Sequence, residues 1–145
     1  MPDSLFLVFD SCLYFNTTAL ARLLEREWAE AFAHHGLTPP QAFMLRLVLE
    51  RPGLLQRELA DELTISRPTA TRALHGLAAK GLIERRASES DGREWAIHAR
   101  PKAVAIKDDL NASSAAVTAR LKKLLGAGTF QDTVGQLRGI RAALE

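Results

Sequence analysis

Apolar residues in the middle of the chain recur at intervals of three and four, which is the spacing of one face of a helix. This pattern predicts a short helix from about Gln56 to Leu63 and a second helix that begins near Ser66. Ser66 suits the N-cap of the second helix, because a serine hydroxyl accepts a hydrogen bond from a backbone N–H of the first turn. The inward stripe of the second helix is Ala70, Ala73, Leu74 and Leu77. Two short amphipathic helices joined so closely predict a helix-turn-helix.

The periodicity changes after Gly81, a residue that suits the end of a helix because glycine readily adopts a left-handed backbone. Residues 82–86 predict a strand, and residues 93–99 alternate in the way that a second strand does. Residues 88–92 between them are typical of a turn. The predicted fold class is therefore mainly α with a small β-hairpin wing, a winged helix-turn-helix.

Amphipathic helical segments lie on both sides of this central unit. The segment before it has an apolar stripe made of Leu5, Phe9, Cys12, Leu13, Leu20, Leu23 and Leu24. The segment after it begins at Pro101, is interrupted at residues 126–128, and resumes after a cap at Thr129. Pairing with a second copy is an economical way to bury such stripes. We expect a single domain, residues 1–145, with dimerisation helices at 1–35 and 101–145 around a winged helix-turn-helix at 36–100.

Composition allows one domain with a sizeable core, since the 145 residues are 47% hydrophobic and 25% charged. No apolar run approaches membrane-spanning length, and no signal peptide is recognisable, so we expect a cytoplasmic protein. The distribution of charge is more informative. Residues 64–100 carry seven basic and four acidic side chains, whereas residues 3–35 have a net charge of −3. A locally positive surface is what neutralisation of phosphates requires.

Several short motifs resemble those of the MarR family of bacterial transcriptional regulators. They are Leu59-Ala60, Ile65-Ser66-Arg67-Pro68-Thr69, Lys80-Gly81-Leu82-Ile83-Glu84-Arg85 and Asp91-Gly92-Arg93, and their order and spacing match over nearly the whole chain. Three departures are Leu55, where the family often has a Ser or Thr cap, Thr64, where it usually has Gly, and Ala99-Arg100-Pro101-Lys102-Ala103, where it commonly has Leu-Thr-x-x-Gly after the wing. The resemblance implies a ligand-responsive repressor that binds double-stranded DNA as a homodimer on a pseudo-palindromic operator.

The second helix of a helix-turn-helix enters the major groove, and in a dimer the two copies are about 34 Å apart. On this helix we expect DNA contacts from Ser66, Arg67, Pro68, Thr69, Thr71, Arg72 and His75. Arg72 is the expected base reader, because arginine pairs bidentately with guanine. Arg86 is a further candidate on the hairpin. The resemblance implies that Arg93 enters the minor groove and that Asp91 holds it there.

Control by a small molecule, wedged between the dimerisation helices and the reading head, is also implied by the resemblance. The side chains that flank the expected cleft offer apolar walls and two polar groups; they are Trp28, Phe32, His35, Phe43 and Arg46. Such a site suits an aromatic or phenolic effector. Plain core packing is the competing interpretation for most of them.

Other functional classes have less support in the sequence. Peroxide-sensing relatives have a reactive cysteine in the first helix, so a redox response through Cys12, the only cysteine, is one alternative. A winged-helix module that binds proteins without specific DNA binding is another. We predict no metal site, since adjacent His34 and His35 diverge by about 100° on a helix. No catalytic grouping or cofactor motif is recognisable, so we expect neither an enzyme nor a cofactor.

Overall fold

A computed structural model describes residues 8–88 and 92–145. Within these residues the order of elements is α1 (Leu13–Phe32), a short 3-10 helix (Ala33–His35), α2 (Pro39–Glu50), α3 (Gln56–Leu63), α4 (Arg67–Ala79), β1 (Ile83–Ala87), β2 (Trp95–Ala99), α5 (Pro101–Leu125) and α6 (Ala127–Leu144). The predicted fold class, mainly α with a β-hairpin, is confirmed. In the described part of the chain, we find no helix long and apolar enough to cross a membrane.

The core lies between α2, α4 and the first half of α5, closed at one side by the hairpin. Its fully buried side chains include Met44, Leu45, Leu59, Leu74, Leu77, Ile97 and Leu110. The predicted inward stripe of α4 is confirmed, since all four of its members are buried. Burial of one Leu or Met side chain stabilises a fold by about 1.5–3 kcal/mol, so this cluster fixes how α4 sits on the other helices.

The starts of α4, α3 and α5 follow from local chemistry. The Ser66 hydroxyl accepts a hydrogen bond from the Thr69 N–H at 3.2 Å, which confirms the predicted N-cap. Leu55 has no side-chain acceptor for α3, but the Glu58 carboxylate accepts from the Leu55 N–H at 2.9 Å and supplies half of a capping box. Pro101 occupies the first turn of α5, as the sequence predicts.

The turn between α3 and α4 is closed by a residue in an uncommon conformation. Thr64 has a φ of +55°, in the left-handed region that a β-branched residue rarely adopts. The Ile65 N–H donates to the Ala60 carbonyl at 3.0 Å and closes the turn. Arg141 of α6 donates to the Thr64 hydroxyl at 3.2 Å. A turn of the helix-turn-helix is therefore formed without glycine, at a cost of about 1–2 kcal/mol in backbone strain.

The two strands are antiparallel, with Ile83 opposite Ala99 and Ala87 opposite Trp95. Both predicted strands are displaced slightly, because β1 extends to Ala87 and β2 begins two residues later than expected. The strand β2 also bonds to the segment before α3, since the Ile97 N–H donates to the Leu54 carbonyl at 3.0 Å. This additional pairing, which the sequence pattern does not reveal, attaches the wing to the start of the helix-turn-helix.

Two predicted helix boundaries at the ends of the chain are wrong. The helix α1 begins at Leu13, so Phe9 precedes it and Cys12 is its N-cap, whereas Leu5 lies outside the described residues. The helix α6 begins at Ala127 and not after Thr129. The physical reason for the earlier start of α6 is that the turn between α5 and α6 needs only one residue. That residue is Gly126, with a φ of +86°. The residues that follow Gly126 therefore continue as helix.

A buried polar network joins α1, α2 and α5. The hydroxyl of Ser114, which is 6% exposed, accepts from Trp28 Nε1 at 3.0 Å and from Arg46 Nη1 at 3.2 Å. Arg46 Nε also donates to Asn111 Oδ1 at 2.8 Å. Burial lowers the pKa of Arg46, while Glu50 opposes that change. The network thus satisfies polar groups at the point where α1 and α5 meet α2.

A second connection involves the end of α4. The Lys80 ammonium donates to the Gly36 carbonyl, in the loop between α1 and α2. The carbonyl of Lys80 in turn accepts from Lys102 Nζ of α5 at 2.9 Å. The C-terminal end of α4 is therefore attached to two other parts of the scaffold.

We expect Ser114→Ala to lower the free energy of unfolding by about 1–3 kcal/mol, because the Trp28 and Arg46 donors would lose their buried acceptor. Urea unfolding at fixed protein concentration measures this change. Ser113→Ala is the matched control, since the Ser113 hydroxyl donates only within its own helix, to the Asp109 carbonyl. Equal stability of the two variants would contradict the role given to the network.

Candidate nucleic-acid interface

The outward face of α4 gathers the side chains that the sequence predicts for DNA contact. Ser66, Arg67, Pro68, Arg72 and His75 are exposed, and Thr69 and Thr71 are partly exposed. Because the helix begins at this face, its first backbone N–H groups point the same way and favour an anion. The surface therefore combines arginine charge, hydroxyl groups and a helix N-terminus.

Hydrogen bonds within this face hold the first turn in place. The Ser66 hydroxyl donates to Thr69 Oγ1 at 2.8 Å, and Arg72 Nη2 donates to the same oxygen at 3.2 Å. Arg72 is thus oriented along the helix toward its N-terminus. The Thr71 hydroxyl donates to the Arg67 carbonyl at 3.0 Å and accepts from Gln56 Nε2 at 2.9 Å. Thr71 therefore connects α4 to α3.

A cleft of about 220 Å³ joins the start of α4 to the base of the wing. Arg67 and Arg93, which are 26 positions apart in the sequence, both line it. Its other lining residues are Leu55, Gln56, Arg57, Ala60, Ala70, Glu94 and Trp95. Gln56, Arg57 and Trp95 are not among the residues that the sequence predicts for the DNA interface. The available signal was a tryptophan on a hairpin, and Trp95 is indeed 47% exposed.

One ion pair attaches the wing to α3, and another lies within the wing. Arg57 Nε donates to Glu94 Oε1 at 3.0 Å, and this hydrogen bond raises the pKa of Arg57. Arg86 Nε donates to Glu84 Oε1 at 3.0 Å on the same strand, and Arg86 lowers the pKa of Glu84. Arg86 is exposed, yet its charge is partly neutralised by this carboxylate.

At the wing itself, Arg93 is exposed just before β2. Asp91, its predicted partner, lies outside the described residues, so the role given to Asp91 stays a prediction.

An apolar cavity of about 450 Å³ lies behind the helix-turn-helix, against α1 and α2. Its lining residues are Ala21, Leu24, Glu25, Trp28, Pro39, Pro40, Phe43, Leu63, Ile65 and Thr69. Of the five residues predicted for an effector, only Trp28 and Phe43 line this cavity. Phe32 is fully buried in the core, where its ring meets Phe43 edge-on at 5.9 Å between centroids. Arg46 is engaged with α5 in the buried network.

The expected divergence of His34 and His35 is wrong. Both lie in the 3-10 helix after α1, where adjacent positions are about 120° apart, yet their ring centroids are only 3.9 Å apart because both side chains turn toward Asp109. His34 Nε2 is within 2.9 Å of Asp109 Oδ2 on α5, and His35 Nε2 is equally close to that oxygen. Burial, followed by repulsion from His34, lowers the pKa of His35, whereas Asp109 opposes the change. His35 therefore lies away from the apolar cavity.

Cys12 is exposed in the single chain, at the N-cap of α1. Tyr14, the only tyrosine in the sequence, is also exposed, at 77%. A redox response through Cys12 stays a prediction.

Comparison with known proteins agrees with this geometry. The model of the MarR family matches residues 35–94. The HTH-type transcriptional repressor Rv2887 of Mycobacterium tuberculosis (strain ATCC 25618 / H37Rv) is 31% identical over 116 residues, which cover 77% of this chain and 84% of that protein. The HTH-type transcriptional regulator TtmR of Methylorubrum extorquens (strain PA1) is 32% identical over 110 residues, 76% of this chain and 54% of TtmR. The chain thus spans about half the length of TtmR.

Among solved structures, the transcriptional repressor CouR bound to a 23-mer DNA duplex has a TM-score of 0.83 and 27% identity, over 93% of this chain and 98% of that chain. CouR bound to p-coumaroyl-CoA has the same TM-score and 25% identity, over 92% and 94% of the two chains. Fold and sequence together define a winged helix-turn-helix protein of the kind found in transcriptional regulators. The chain belongs to the MarR family.

Proposed function

We propose that this protein is a sequence-specific DNA-binding transcriptional repressor that acts in the cytoplasm as a homodimer. The observation that carries the proposal is the exposed arginine and hydroxyl face of α4 beside the wing that presents Arg93. The DNA-bound state of CouR, which has a similar fold, supports it. The role is one of binding and regulation, not of catalysis.

Each part of the interface has its own task in this proposal. The helix α4 enters the major groove, where Arg72 reads a guanine edge and Thr69 supports its guanidinium. Ser66, Arg67 and the helix N-terminus contact phosphates. Arg93 enters the minor groove, whose negative potential is concentrated where the groove is narrow. Affinity should then fall steeply with salt, because each phosphate contact releases counterions.

We expect Arg72→Ala to weaken binding by about 1–3 kcal/mol and to relax the preference for one base pair, because it removes a bidentate contact. Arg93→Ala should weaken binding to many sequences more evenly. Selection of bound sites from a random DNA pool, followed by affinity measurements against salt, distinguishes the two. Arg120→Ala is the control, since Arg120 pairs with Glu27 on the dimerisation helices.

Two results would contradict this division. If both variants changed base preference equally, Arg72 would not be the reader. If the wild-type protein enriched no inverted repeat, the winged head would instead serve protein contacts or nonspecific DNA association.

The homodimer is proposed from apolar surface that one chain leaves uncovered. The helix α6 spans 18 residues and none of its side chains is buried. Its apolar residues lie with those of α1 and α5 along one groove, lined by Leu20, Leu23, Leu24, Arg26, Glu27, Leu121, Leu124, Leu125, Phe130, Thr133, Val134 and Leu137. Such a continuous apolar surface is uncommon on a monomer. A second copy supplies the same helices and covers it by two-fold symmetry.

We expect Leu124→Lys to shift the protein from dimer to monomer at micromolar concentration, because Leu124 is 78% exposed in one chain and a buried charge at the interface would be costly. Light scattering during gel filtration measures the mass. Ala105→Lys adds the same charge at an exposed position of α5 outside the groove. A monomeric wild-type protein, or an unchanged dimer in Leu124→Lys, would contradict the proposed interface.

Ligand control is proposed at the apolar cavity because its walls belong to both halves of the fold. Leu24 and Trp28 come from α1, whereas Ile65 and Thr69 come from the helix-turn-helix. Thr69 also accepts the hydrogen bond from Arg72, so an occupant would act directly beside the proposed base reader. An effector that distinguishes the DNA-bound and released states by 100-fold would supply about 2.7 kcal/mol of bias.

The residues that line the cavity also indicate which chemical class of effector it would bind. Arg46, a cation that could pair with the carboxylate of an aromatic acid, bonds to α5 instead, and Glu25 places a carboxylate at the cavity. A phenolic or other uncharged aromatic ring therefore suits the cavity better than an aromatic acid. CouR, which binds p-coumaroyl-CoA, offers a phenolic precedent.

We expect a simple phenol to release the protein from its selected DNA site, and Phe43→Ala to reduce that response because it removes an aromatic wall. Fluorescence anisotropy of labelled DNA measures release. Val104→Ala is the control, since Val104 is an apolar residue that is 60% exposed and outside the cavity. The same response in Phe43→Ala as in the wild type would place the effector elsewhere.

A further inference from the structure

Three potential metal ligands converge where the 3-10 helix after α1 meets α5. Two imidazole nitrogens, from His34 and His35, each lie 2.9 Å from Asp109 Oδ2. One ligand atom from each residue can be chosen so that all three atoms are within 4.8 Å of one another. The two side chains bend toward the same carboxylate, so adjacent histidines whose backbone positions diverge present two nitrogens to one point.

The second observation concerns the buried member of the group. The side chain of His35 is only 7% exposed, and its Nε2 has no hydrogen-bond partner among the described residues. The Asp109 oxygen is near enough, but it does not lie in the direction that a hydrogen bond from the ring requires. A buried polar atom without a partner costs about 1–3 kcal/mol, so such an atom calls for a ligand. Here Nε2 lies 2.9 Å from an exposed carboxylate oxygen, and its ring lies beside a second imidazole.

We propose that His34, His35 and Asp109 form a binding site for a divalent transition metal of the Zn²⁺ class. Two imidazoles and one carboxylate are a ligand set that Zn²⁺ accepts, with water in the fourth position. Imidazole ligands select against Mg²⁺ and Ca²⁺, which take oxygen ligands. This site is separate from the DNA interface and from the apolar cavity.

The distances between the carboxylate and the two imidazoles require only a small adjustment. Tetrahedral ligands about 2.0–2.1 Å from Zn²⁺ are about 3.3–3.4 Å from each other. The carboxylate must therefore retreat by about half an ångström from each imidazole, which an exposed aspartate on one helix can do by changing its side-chain rotamer. His34 and Asp109 have 56% and 64% of their side chains exposed, so the ion can enter from solvent.

A metal at this position would connect parts of the fold that set the placement of the reading head. The histidines directly precede Gly36, whose carbonyl holds Lys80 at the end of α4. Asp109 lies on α5, two positions before Asn111 of the buried network. The ion would fix the connection between α1 and α2 against α5.

The test is titration of the full-length, untagged protein with Zn²⁺ in competition with a chromophoric chelator. A Cys12→Ser background removes the only thiol. We expect one ion per chain, and Co²⁺ should give the intense visible absorption of a tetrahedral site. His34→Ala and Asp109→Asn should each weaken Zn²⁺ binding by about tenfold or more, since loss of even an outer partner of a metal ligand costs 10–100-fold. Both positions are exposed, so these variants should fold normally.

Two controls keep the result specific. Asp108→Asn changes the neighbouring exposed carboxylate, and His75→Ala removes an exposed histidine of α4; both should bind Zn²⁺ as the wild type does. The proposal is overturned if the wild-type protein binds no Zn²⁺ in this competition, or if Asp109→Asn and His34→Ala bind it as tightly as the controls. DNA binding is not needed for either readout, so failure of the metal site would leave the proposed regulatory function standing.

Discussion

The hydroxyl of Ser114 is the point on which the arrangement of the helices depends. It accepts hydrogen bonds from Trp28 on α1 and from Arg46 on α2, while the guanidinium also bonds to Asn111 on α5. Three helices are thereby fixed relative to one another by directional bonds in a region that is otherwise apolar. Because buried donors are costly to leave unpaired, sliding of α2 along α5 is penalised more strongly than apolar contacts alone would allow. The same bonds keep the Arg46 cation out of the apolar cavity.

The central unit is the part of the fold that follows most directly from the sequence. Helices α3 and α4, the Ser66 cap and the buried stripe of α4 depend on contacts between residues close in the chain, and periodicity captures these. The bond from Ile97 to Leu54 and the convergence of His34 with Asp109 join residues far apart in sequence. The pattern of residues in one segment does not indicate which distant residues that segment contacts. These contacts are therefore known only from the structure.

The candidate sites show the same difference between features set by neighbouring residues and features set by residues far apart in the sequence. The exposed residues of α4 were predictable because a helix with one apolar side must present its other side to solvent. The effector residues were predicted because they flank the cleft that the family resemblance implies, and only Trp28 and Phe43 line the cavity. Arg46 does not line the cavity, because a half-buried cation needs hydrogen-bond acceptors. It bonds to Ser114 and Asn111, which belong to a helix that begins 55 positions later in the chain.

Because Lys80 makes two contacts, the C-terminal end of α4 can act as a pivot for movement of its N-terminal end. Its C-terminal end is held by Gly36 on one side and by Lys102 on the other, whereas its N-terminal end meets solvent. A helix of 13 residues is about 18 Å long from first to last Cα. If the scaffold rotates α4 by about 5° around the held end, the first turn moves by about 1.6 Å. Small rearrangements among α1, α2 and α5 are therefore magnified at Arg67 and Arg72, and in the proposed complex a displacement of this size would break hydrogen bonds to base edges.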